Sequence, residues 1–175
     1  VLDEQDRTKI GDPWPDFVYG LSLGATWKGF DFNVFFQGSQ GNDVLNMTLR
    51  DFESGTGTMN AREDFLNRAW NGEGSTDKYH RISAEQGQNS EISDYFVEDG
   101  SYLRLKNLQL GYNFCERLLK IKGISYLRLY VSAQNLFTLT KYSGLDPEIG
   151  SSNATLNGID QGFYPQARTW TVGLN

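Results

Sequence analysis

The sequence contains very few of the residues that build reactive or metal-binding sites. Its 175 residues include one cysteine, Cys115, and one histidine, His80. A single cysteine excludes an internal disulfide framework and a thiolate metal cage, and we predict that Cys115 fills apolar space. A metal site would have to be built almost wholly from carboxylates. We therefore predict neither a metal nor a cofactor.

The sequence also lacks a long apolar run and an excess of basic charge. No stretch approaches the roughly 18 apolar residues of a membrane-spanning helix, and no segment has the basic start and apolar middle of a signal peptide. The formal net charge is −6. A nucleic-acid partner is not expected, because binding a phosphate backbone requires a clustered basic face.

Aromatic residues are abundant, at 14% of the chain. Large apolar residues alternate with small or polar ones from Phe17 to Trp27, and again from Phe30 to Gly38 after a turn at Lys28 and Gly29. Period-two alternation on both sides of a two-residue turn predicts an antiparallel hairpin. Rings at the strand ends suit the aromatic girdle of a membrane barrel.

Three further strands are predicted at Tyr102 to Phe114, Tyr126 to Phe137 and Arg168 to Asn175. In the last two, apolar residues alternate with serine, threonine, glutamine, arginine and tyrosine. Large membrane barrels line their interior with polar groups and turn the apolar face to lipid, whereas small soluble barrels fill their interior with branched apolar residues. Soluble β-sandwiches also alternate, so that alternative stays open at this point.

The stretch YLRLKNLQLGY, residues 102–112, breaks the alternation. Its first two leucines share one parity, whereas the two leucines after Lys106 and Asn107 share the other. Two explanations are open. Either the strand is buried on both faces, or a β-bulge near Lys106 and Asn107 resets its register.

The connections between predicted strands alternate in length. The turn at Lys28 is short, the gap from about 39 to 101 is long, the gap from about 114 to 125 is short, and the gap from about 138 to 167 is long. Outer-membrane barrels have short periplasmic turns and long external loops. The pattern predicts an antiparallel meander paired in sequence order, with a periplasmic C-terminus.

Four stretches carry a resemblance to a known family. They are GFDFNVFFQGSQGNDVLN at 29–46, EDGSYLRLKNLQLGY at 98–112, LRLYVSAQNLFTLTKYSGLDPEIG at 127–150 and YPQARTWTVGLN at 164–175. Together they resemble the C-terminal end of the SusC/RagA-type TonB-dependent outer-membrane transporters of Bacteroidetes. The resemblance covers nearly the whole chain, with the stretches in the expected order.

The resemblance implies an all-β fold, an up-and-down meander that forms the last five or so strands of a barrel of about 22 strands. Residues 1–175 would be the C-terminal part of that barrel, without its plug and N-terminal strands. Family chains usually end a few residues further on with an aromatic residue, so we expect terminal residues to be missing after Asn175.

The resemblance also implies a function and a place in the cell. The protein would lie in the cell outer membrane, surrounded by lipid, and import oligosaccharides or peptides. Its partners would be a SusD-like surface lipoprotein and the TonB–ExbB–ExbD complex, the latter through the missing N-terminal part. No covalent chemistry is implied, so we expect no enzyme.

Candidate ligand contacts come from strand parity and from the first long loop. NAREDFLNRAW, residues 60–70, predicts a short helix whose apolar side carries Phe65, Leu66, Ala69 and Trp70. Trp70 and the nearby Tyr79 are candidates for stacking on a ligand such as a sugar. Strand parity predicts that the lumen wall includes Asp31, Asn33, Gln37, Arg128, Tyr130 and Gln134.

A rival hypothesis is a secreted carbohydrate-binding β-sandwich or a glycan-active enzyme domain that uses Trp70. GLDPEIG offers Asp146 and Glu148 as a carboxylate pair for glycoside cleavage or as Ca²⁺ ligands, although a turn stiffened by Pro147 is favoured. In a sandwich, a second sheet would cover the apolar face, including Leu21, Leu23, Phe32 and Val34.

Overall fold

A computed structural model describes residues 4–53, 60–76, 78–82, 87–114, 126–150 and 154–175, so Cys115 lies outside the described residues. The strands in chain order are β1 Phe17–Trp27, β2 Phe30–Gln40, β3 Asp43–Asn46, β4 Val97–Asp99, β5 Tyr102–Phe114, β6 Leu127–Gln134, β7 Thr138–Thr140, β8 Ile159–Asp160 and β9 Thr169–Leu174. The α-helices are α1 Met47–Glu53 and α2 Glu63–Arg68, and short 3-10 turns lie at Glu4–Asp6, Gln88–Ser90, Asp94–Phe96 and Ala154–Leu156. None of the helices in these ranges is long and apolar enough to cross a membrane.

The chain forms two compact units, each assembled from three separate stretches. The first, called the loop unit here, comprises Val1–Trp14, Asn42–Asp99 and Tyr142–Tyr164. The second, called the sheet unit, comprises Pro15–Gly41, Gly100–Lys141 and Pro165–Asn175. The two segments that leave the sheet unit and return to it are the two long connections seen in the sequence.

The sheet unit is an antiparallel meander with strand order β1-β2-β5-β6-β9. Lys28 and Gly29 join β1 to β2 with φ angles of 47° and 91°, the left-handed conformations that a two-residue hairpin turn requires. Five strands paired in sequence order were predicted, and the register confirms this arrangement. The second predicted strand is longer than expected, since β2 continues to Gln40.

A β-bulge at Lys106 explains the irregular leucines of β5. Phe35 of β2 lies opposite Asn107, and the next residue, Phe36, lies opposite Leu105, so Lys106 is one extra residue in β5. β2 itself is continuous through this point. A bulge of this kind resets side-chain parity. The explanation by a register reset is confirmed, and the four leucines of β5 all pair with residues on one face of β2.

The bulge gives the sheet one continuous apolar face. Directly opposite residues of an antiparallel pair share a face. The register therefore groups Leu21, Leu23, Ala25 and Trp27 with Phe30, Phe32, Val34 and Phe36, with Leu103, Leu105, Leu108, Leu110 and Tyr112, with Leu129, Val131 and Ala133, and with Trp170, Val172 and Leu174. We call this set the apolar face.

The apolar face lacks the cover that a β-sandwich would give it. Leu21 and Leu23 are each 51% exposed, and Phe32 is 39% exposed. Val34 is buried, with Leu23 and Leu108 directly opposite it on the neighbouring strands. These exposed fractions argue against the sandwich hypothesis, in which such side chains would be covered.

The strand predicted from Tyr126 to Phe137 is interrupted. β6 ends at Gln134, and Asn135 adopts a left-handed conformation with φ of 52°. Its N–H donates to the carbonyl of Lys106 at 3.1 Å. The strand then resumes as β7, which pairs with the start of β5. A strand is present where it was predicted, but the predicted end at Phe137 was wrong, because Asn135 breaks the ladder at the level of the bulge.

The loop unit contains a small sheet and its own core. β3 pairs antiparallel with β4 and parallel with β8. Val44 in β3, Phe65 in α2 and Phe96 are almost completely buried. Neither this sheet nor α1 was predicted, because strands of two to four residues contain too few residues to show a hydrophobic period.

The helix predicted in residues 60–70 exists, but it is shorter than its apolar pattern. Phe65 is fully buried, whereas Leu66 and Trp70 are 49% and 39% exposed. Ala69 closes the helix by donating its N–H to the carbonyl of Phe65 and then adopts an extended ψ of 148°. Ala69 and Trp70 therefore lie outside the helix, and the predicted four-residue apolar side was wrong except at Phe65.

Deleting Lys106 should preserve assembly of the full-length protein. Without Lys106, the leucines of β5 alternate perfectly and keep their face. Deleting Gln109, in the regular part of the strand, should abolish assembly. It moves the side chains on one side of the deletion to the opposite face of the sheet. The measurement is the protease-resistant fraction of folded protein. Equal loss in both deletions would contradict the proposed role of the bulge.

Candidate functional site

The side of the sheet opposite the apolar face is polar, and we call it the polar face. All six strand residues predicted for the lumen wall lie on it. Its members, as the register places them, are Val18, Gly20, Ser22, Gly24 and Thr26; Asp31, Asn33, Phe35, Gln37 and Ser39; Tyr102, Arg104, Asn107, Gln109, Gly111 and Asn113; Arg128, Tyr130, Ser132 and Gln134; Thr138 and Thr140; and Thr169, Thr171 and Gly173.

An ion pair crosses one end of the polar face, near the turn between β1 and β2. Arg128 donates from Nε to Asp31 at 3.0 Å, and both side chains are mostly buried. β5 lies between the two strands that carry them. At the crossing point β5 has Gly111, where an added Cβ would collide with the Asp31 carboxylate and the Arg128 guanidinium. The absence of a side chain at Gly111 is what allows the pair to span three strands.

Further polar contacts extend this ion pair into a network. Asn113 donates from Nδ2 to the Asp31 carboxylate at 3.1 Å, and its own Oδ1 accepts from the Tyr126 hydroxyl at 3.0 Å. The Arg128 guanidinium lies 5.0 Å from the centre of the Tyr130 ring, a cation–π distance. The structure thus brings Arg128 and Tyr130 together in a rigid, charged network.

Tyr130 also covers a glycine. An added Cβ at Gly173, which lies directly opposite on β9, would collide with Cζ, Cε1 and the hydroxyl oxygen of Tyr130. The ring therefore lies against the backbone of β9, an arrangement that compensates for the missing side chain. Tyr130 contacts the backbone at Gly173, and Arg128 lies over its ring, so the sheet and Arg128 together hold its position.

Phe35 is a ring that the sequence interpretation left out. Apart from Val18 and Phe35, the β1 and β2 residues of this face are small or polar. Phe35 is 36% exposed, and its ring lies over Gly20 of β1, where an added Cβ would come within 3.2 Å of Cε2. The signal that would have found it is the pair Phe35 and Phe36, which places a large ring on both faces of a strand that otherwise alternates.

The other three strand candidates surround Phe35. Asn33 and Gln37 precede and follow it on the same face of β2. Asn107 lies directly opposite Phe35, and Gln134 lies opposite Asn107 on β6. The polar face thus has two distinct regions, the charged network at Asp31 and a region of amides around Phe35 that is bordered by the buried Arg104, directly opposite Gln37.

The loop candidates Trp70 and Tyr79 lie together in the loop unit. The N–H of Trp70 donates to the carbonyl of His80 at 3.3 Å, so the two segments run side by side. The guanidinium of Arg68 and the ammonium of Lys78 lie 5.4 and 5.3 Å from the centre of the Tyr79 ring. Tyr79 is therefore a ring contacted by two cations, a setting that sequence alone did not indicate.

A buried carboxylate organises the same part of the loop unit. Glu53 is 3% exposed, accepts from the Tyr95 hydroxyl at 2.7 Å and lies 3.5 Å from Arg62. Burial, together with this hydrogen bond to Glu53, raises the pKa of Tyr95 well above its ordinary value. The Arg62 side chain also bonds to Asp64, which holds the pKa of that carboxyl below its usual range.

His80 and the carboxylates proposed as metal ligands have other contacts. Nε2 of His80 lies 2.9 Å from the backbone oxygen of Glu53, within hydrogen-bonding distance. The residues that the structure describes contain no group of three or more His, Cys, Asp or Glu side chains positioned to hold a metal ion.

The stretch GLDPEIG forms a turn in the loop unit, as favoured from the sequence. The buried carboxylate of Asp146 accepts from the backbone N–H of Glu148 at 2.9 Å, and Ile149 donates to the carbonyl of Pro147. These contacts give the Asp146 carboxylate a structural role at the turn.

A second tyrosine–carboxylate bond lies in the same loop unit. The hydroxyl of Tyr142 donates to Asp160 at 2.6 Å, and Asp160 also accepts from the N–H groups of Gly162 and Phe163. Burial and the bond to Asp160 raise the pKa of Tyr142 well above its ordinary value. The hydroxyl therefore stays a hydrogen-bond donor even in alkaline solution.

Comparisons with known proteins give a consistent result along the whole chain. No family model matches. The chain is 44% identical over 180 residues to TonB-dependent receptor P3 of Formosa agariphila, and the match covers 99% of this chain and 17% of that protein. It is 34% identical over 184 residues to TonB-dependent receptor SusC of Bacteroides thetaiotaomicron, covering 100% of this chain and 16% of that protein.

Solved structures lead to the same group of proteins. A structure of the RagAB peptide importer in its open-open state matches with a TM-score of 0.77 and 31% identity over 92% of this chain and 17% of that one. Its closed-closed state matches with a TM-score of 0.77 and 30% identity. The described fold, mostly antiparallel strands with few helices, is similar to this barrel, and the chain spans about a sixth of the length of its relatives.

Replacing Gly111 with alanine should destabilise the full-length protein by about 1 kcal/mol, because the new methyl group displaces the Asp31–Arg128 pair. The measurement is the free energy of unfolding in denaturant. The cost should largely disappear when Asp31 and Arg128 are both already alanine. An equal cost in both backgrounds would show that Gly111 is needed for another reason.

Proposed function

Since the chain belongs to the SusC/RagA family of TonB-dependent receptors, we propose that its sheet unit forms part of the wall of an outer-membrane transport barrel. The described strands are the last five or so of that barrel, and the plug and the remaining strands belong to the rest of the protein. The barrel imports oligosaccharides or peptides across the outer membrane, and this segment performs no covalent chemistry.

The separation of the sheet into two chemically different faces carries this proposal. The apolar face is continuous over β1, β2, β5, β6 and β9, and much of it is exposed, as Leu21, Val131 and Trp170 illustrate. Exposure on this scale in water would be unfavourable by about 25 cal/mol per Å² of apolar surface. Lipid removes that cost, and the polar face then lines a wet lumen.

The partners follow from the family. A SusD-like lipoprotein at the cell surface delivers the substrate, and the TonB–ExbB–ExbD complex acts through the part of the protein that precedes this chain. The similarity to the RagAB peptide importer supports a peptide substrate, and the similarity to SusC keeps an oligosaccharide as the alternative. On the loop unit, Trp70 and Tyr79 are the proposed ligand contacts.

The orientation follows from the connections. Outer-membrane barrels place long loops outside and tight turns inside. The loop unit is therefore extracellular, whereas the turn at Lys28 and the C-terminus are periplasmic.

Arginine substitutions on adjacent residues should separate lipid-facing from lumen-facing positions. Val131 lies on the apolar face and Ser132 on the polar face. An arginine directed into the middle of the bilayer costs about 2 to 4 kcal/mol, whereas lumen positions tolerate charge. We expect Val131→Arg to lower the amount of assembled full-length protein in the outer membrane and Ser132→Arg to leave it nearly unchanged. Equal tolerance would mean that lipid does not contact this face.

Cysteine labelling of intact cells should establish the orientation. Ser75 lies in an exposed turn of the loop unit, and Lys28 lies in the exposed turn between β1 and β2. In the full-length protein, Ser75→Cys should react with a membrane-impermeant maleimide, whereas Lys28→Cys should react only after the cells are lysed. The opposite pattern would reverse the orientation.

A further inference from the structure

We propose that Trp27 and Lys28 bind the headgroup of an anionic phospholipid in the membrane leaflet that faces the periplasm. The headgroup site, as we call it, consists of the Trp27 ring and the Lys28 ammonium at the turn between β1 and β2. The proposal rests on the barrel and the orientation given above. The position of the ammonium, the conformation of the turn and the distribution of charge in the chain each support it.

Trp27 ends the apolar face at the turn between β1 and β2. It is 68% exposed and lies directly opposite Phe30. The Phe30 ring lies 4.6 Å from that of Tyr112, centre to centre, and the Tyr112 ring lies 4.9 Å from that of Phe114. Tryptophan favours the headgroup region of a bilayer, because its ring is apolar and its N–H group is polar. This aromatic end of the apolar face therefore suits the level of the lipid headgroups.

The remainder of the barrel leaves the headgroup site directed to lipid. β1 is an outer strand of the described sheet, so the preceding barrel strand pairs with the edge of β1 that β2 does not occupy. Strands pair in the plane of the sheet, whereas side chains project out of it. A neighbouring strand therefore extends the apolar face sideways without covering it. A plug inside the barrel lies against the polar face, on the other side of the sheet.

The ammonium of Lys28 is held beside the Trp27 ring. Its Nζ lies 4.9 Å from the centre of that ring, a cation–π distance. The turn that carries it is fixed, because the N–H of Asn113 donates to the carbonyl of Gly29 at 2.7 Å. In the parts of the chain that the structure describes, no carboxylate pairs with Lys28. Its positive charge is therefore available to a phosphate group at the level of Trp27.

Lysine is an unfavourable residue for the conformation that Lys28 adopts. Its φ of 47° lies in the left-handed region, and the first position of such a hairpin turn favours asparagine, aspartate or glycine. A lysine there lowers stability, because its Cβ crowds the following carbonyl oxygen. Strained residues of this kind concentrate at functional sites. A need for positive charge at this turn accounts for lysine where asparagine would be more stable.

Charge is unevenly divided between the two units of the chain. The sheet unit contains nine lysine and arginine residues and three aspartate and glutamate residues, whereas the whole chain contains 16 and 22. The sheet unit is therefore positively charged within a chain of net negative charge. Basic residues at a membrane surface attract anionic lipids. Phosphatidylcholine, whose headgroup has no net charge, lacks this attraction.

The test uses the full-length protein in detergent and a phosphatidylglycerol probe with a photoactivatable diazirine at the start of one acyl chain. Mass spectrometry measures labelling of the segment around Trp27, and the probe concentration for half-maximal labelling gives the affinity. An excess of unlabelled phosphatidylglycerol should reduce this labelling about threefold more than the same excess of phosphatidylcholine. Free glycerol phosphate should not compete, because it has no acyl chains to lie on the apolar face.

Substitutions at Lys28 separate charge from folding. Lys28→Asn should weaken binding of the probe about fivefold, although asparagine suits the turn better than lysine. Lys28→Arg should retain the affinity, because it keeps the charge, and Trp27→Leu should weaken binding because the ring is lost. Lys78→Gln is a matched control, since Nζ of Lys78 lies 5.3 Å from the centre of the Tyr79 ring in the loop unit. It should leave labelling unchanged.

The outcomes separate this proposal from the transport function. Unchanged affinity in Lys28→Asn, or equal competition by phosphatidylcholine, would overturn the headgroup site, and lipid would then contact Trp27 without recognition of its headgroup. Competition by glycerol phosphate would overturn the assignment to a lipid. Labelling around Val131 without labelling around Trp27 would also overturn the site and leave the barrel intact. Absence of labelling at both segments would instead contradict the lipid-facing position of the apolar face, on which the proposed function rests.

Discussion

The register between β2 and β5 is the constraint on which the two-faced sheet depends. A strand has a side-chain period of two, so a shift of one residue exchanges its faces. Leucines at both parities of β5 would then place apolar side chains on the polar face. The extra residue at Lys106 prevents this and keeps all four leucines on the apolar face. On the other side of β5, the break after β6 at Asn135 lies beside the bulge, since the N–H of Asn135 donates to the carbonyl of Lys106.

Glycines on the strands allow side chains to lie across the polar face. Gly111 leaves room for the Asp31–Arg128 pair, Gly173 accommodates the Tyr130 ring and Gly20 accommodates Phe35. These contacts connect neighbouring strands by side chains as well as by the backbone ladder. A strand interior normally loses stability when it contains glycine, and a ring from the adjacent strand compensates. These three strand glycines therefore serve packing between neighbouring strands.

The loop unit achieves its stability by different means. It buries Phe65 and Phe96 and joins its segments through buried carboxylates, chiefly Glu53 with Tyr95 and Asp160 with Tyr142. Each carboxylate accepts hydrogen bonds from partners distant in the sequence. A buried carboxylate is destabilising without such partners. The Glu53–Tyr95 bond therefore holds together distant parts of the first long connection, and the Asp160–Tyr142 bond does the same in the second. A loop unit held in this way can present the proposed ligand contacts Trp70 and Tyr79 without long regular elements.

The sequence by itself determined the five long strands, their order and the identity of the two faces, because alternation at period two follows directly from strand geometry. It also indicated the polar-face candidates Asn33, Gln37 and Gln134, since parity depends only on position within one strand. Tertiary structure decided the features that depend on how the strands pair. The choice of a bulge at Lys106, the crossing of Gly111 by an ion pair, the break at Asn135 and the support of Phe35 by Gly20 all depend on which residues of separate strands lie opposite one another. A single sequence contains no direct record of that register, and the short strands of the loop unit contain too few residues to show a period at all.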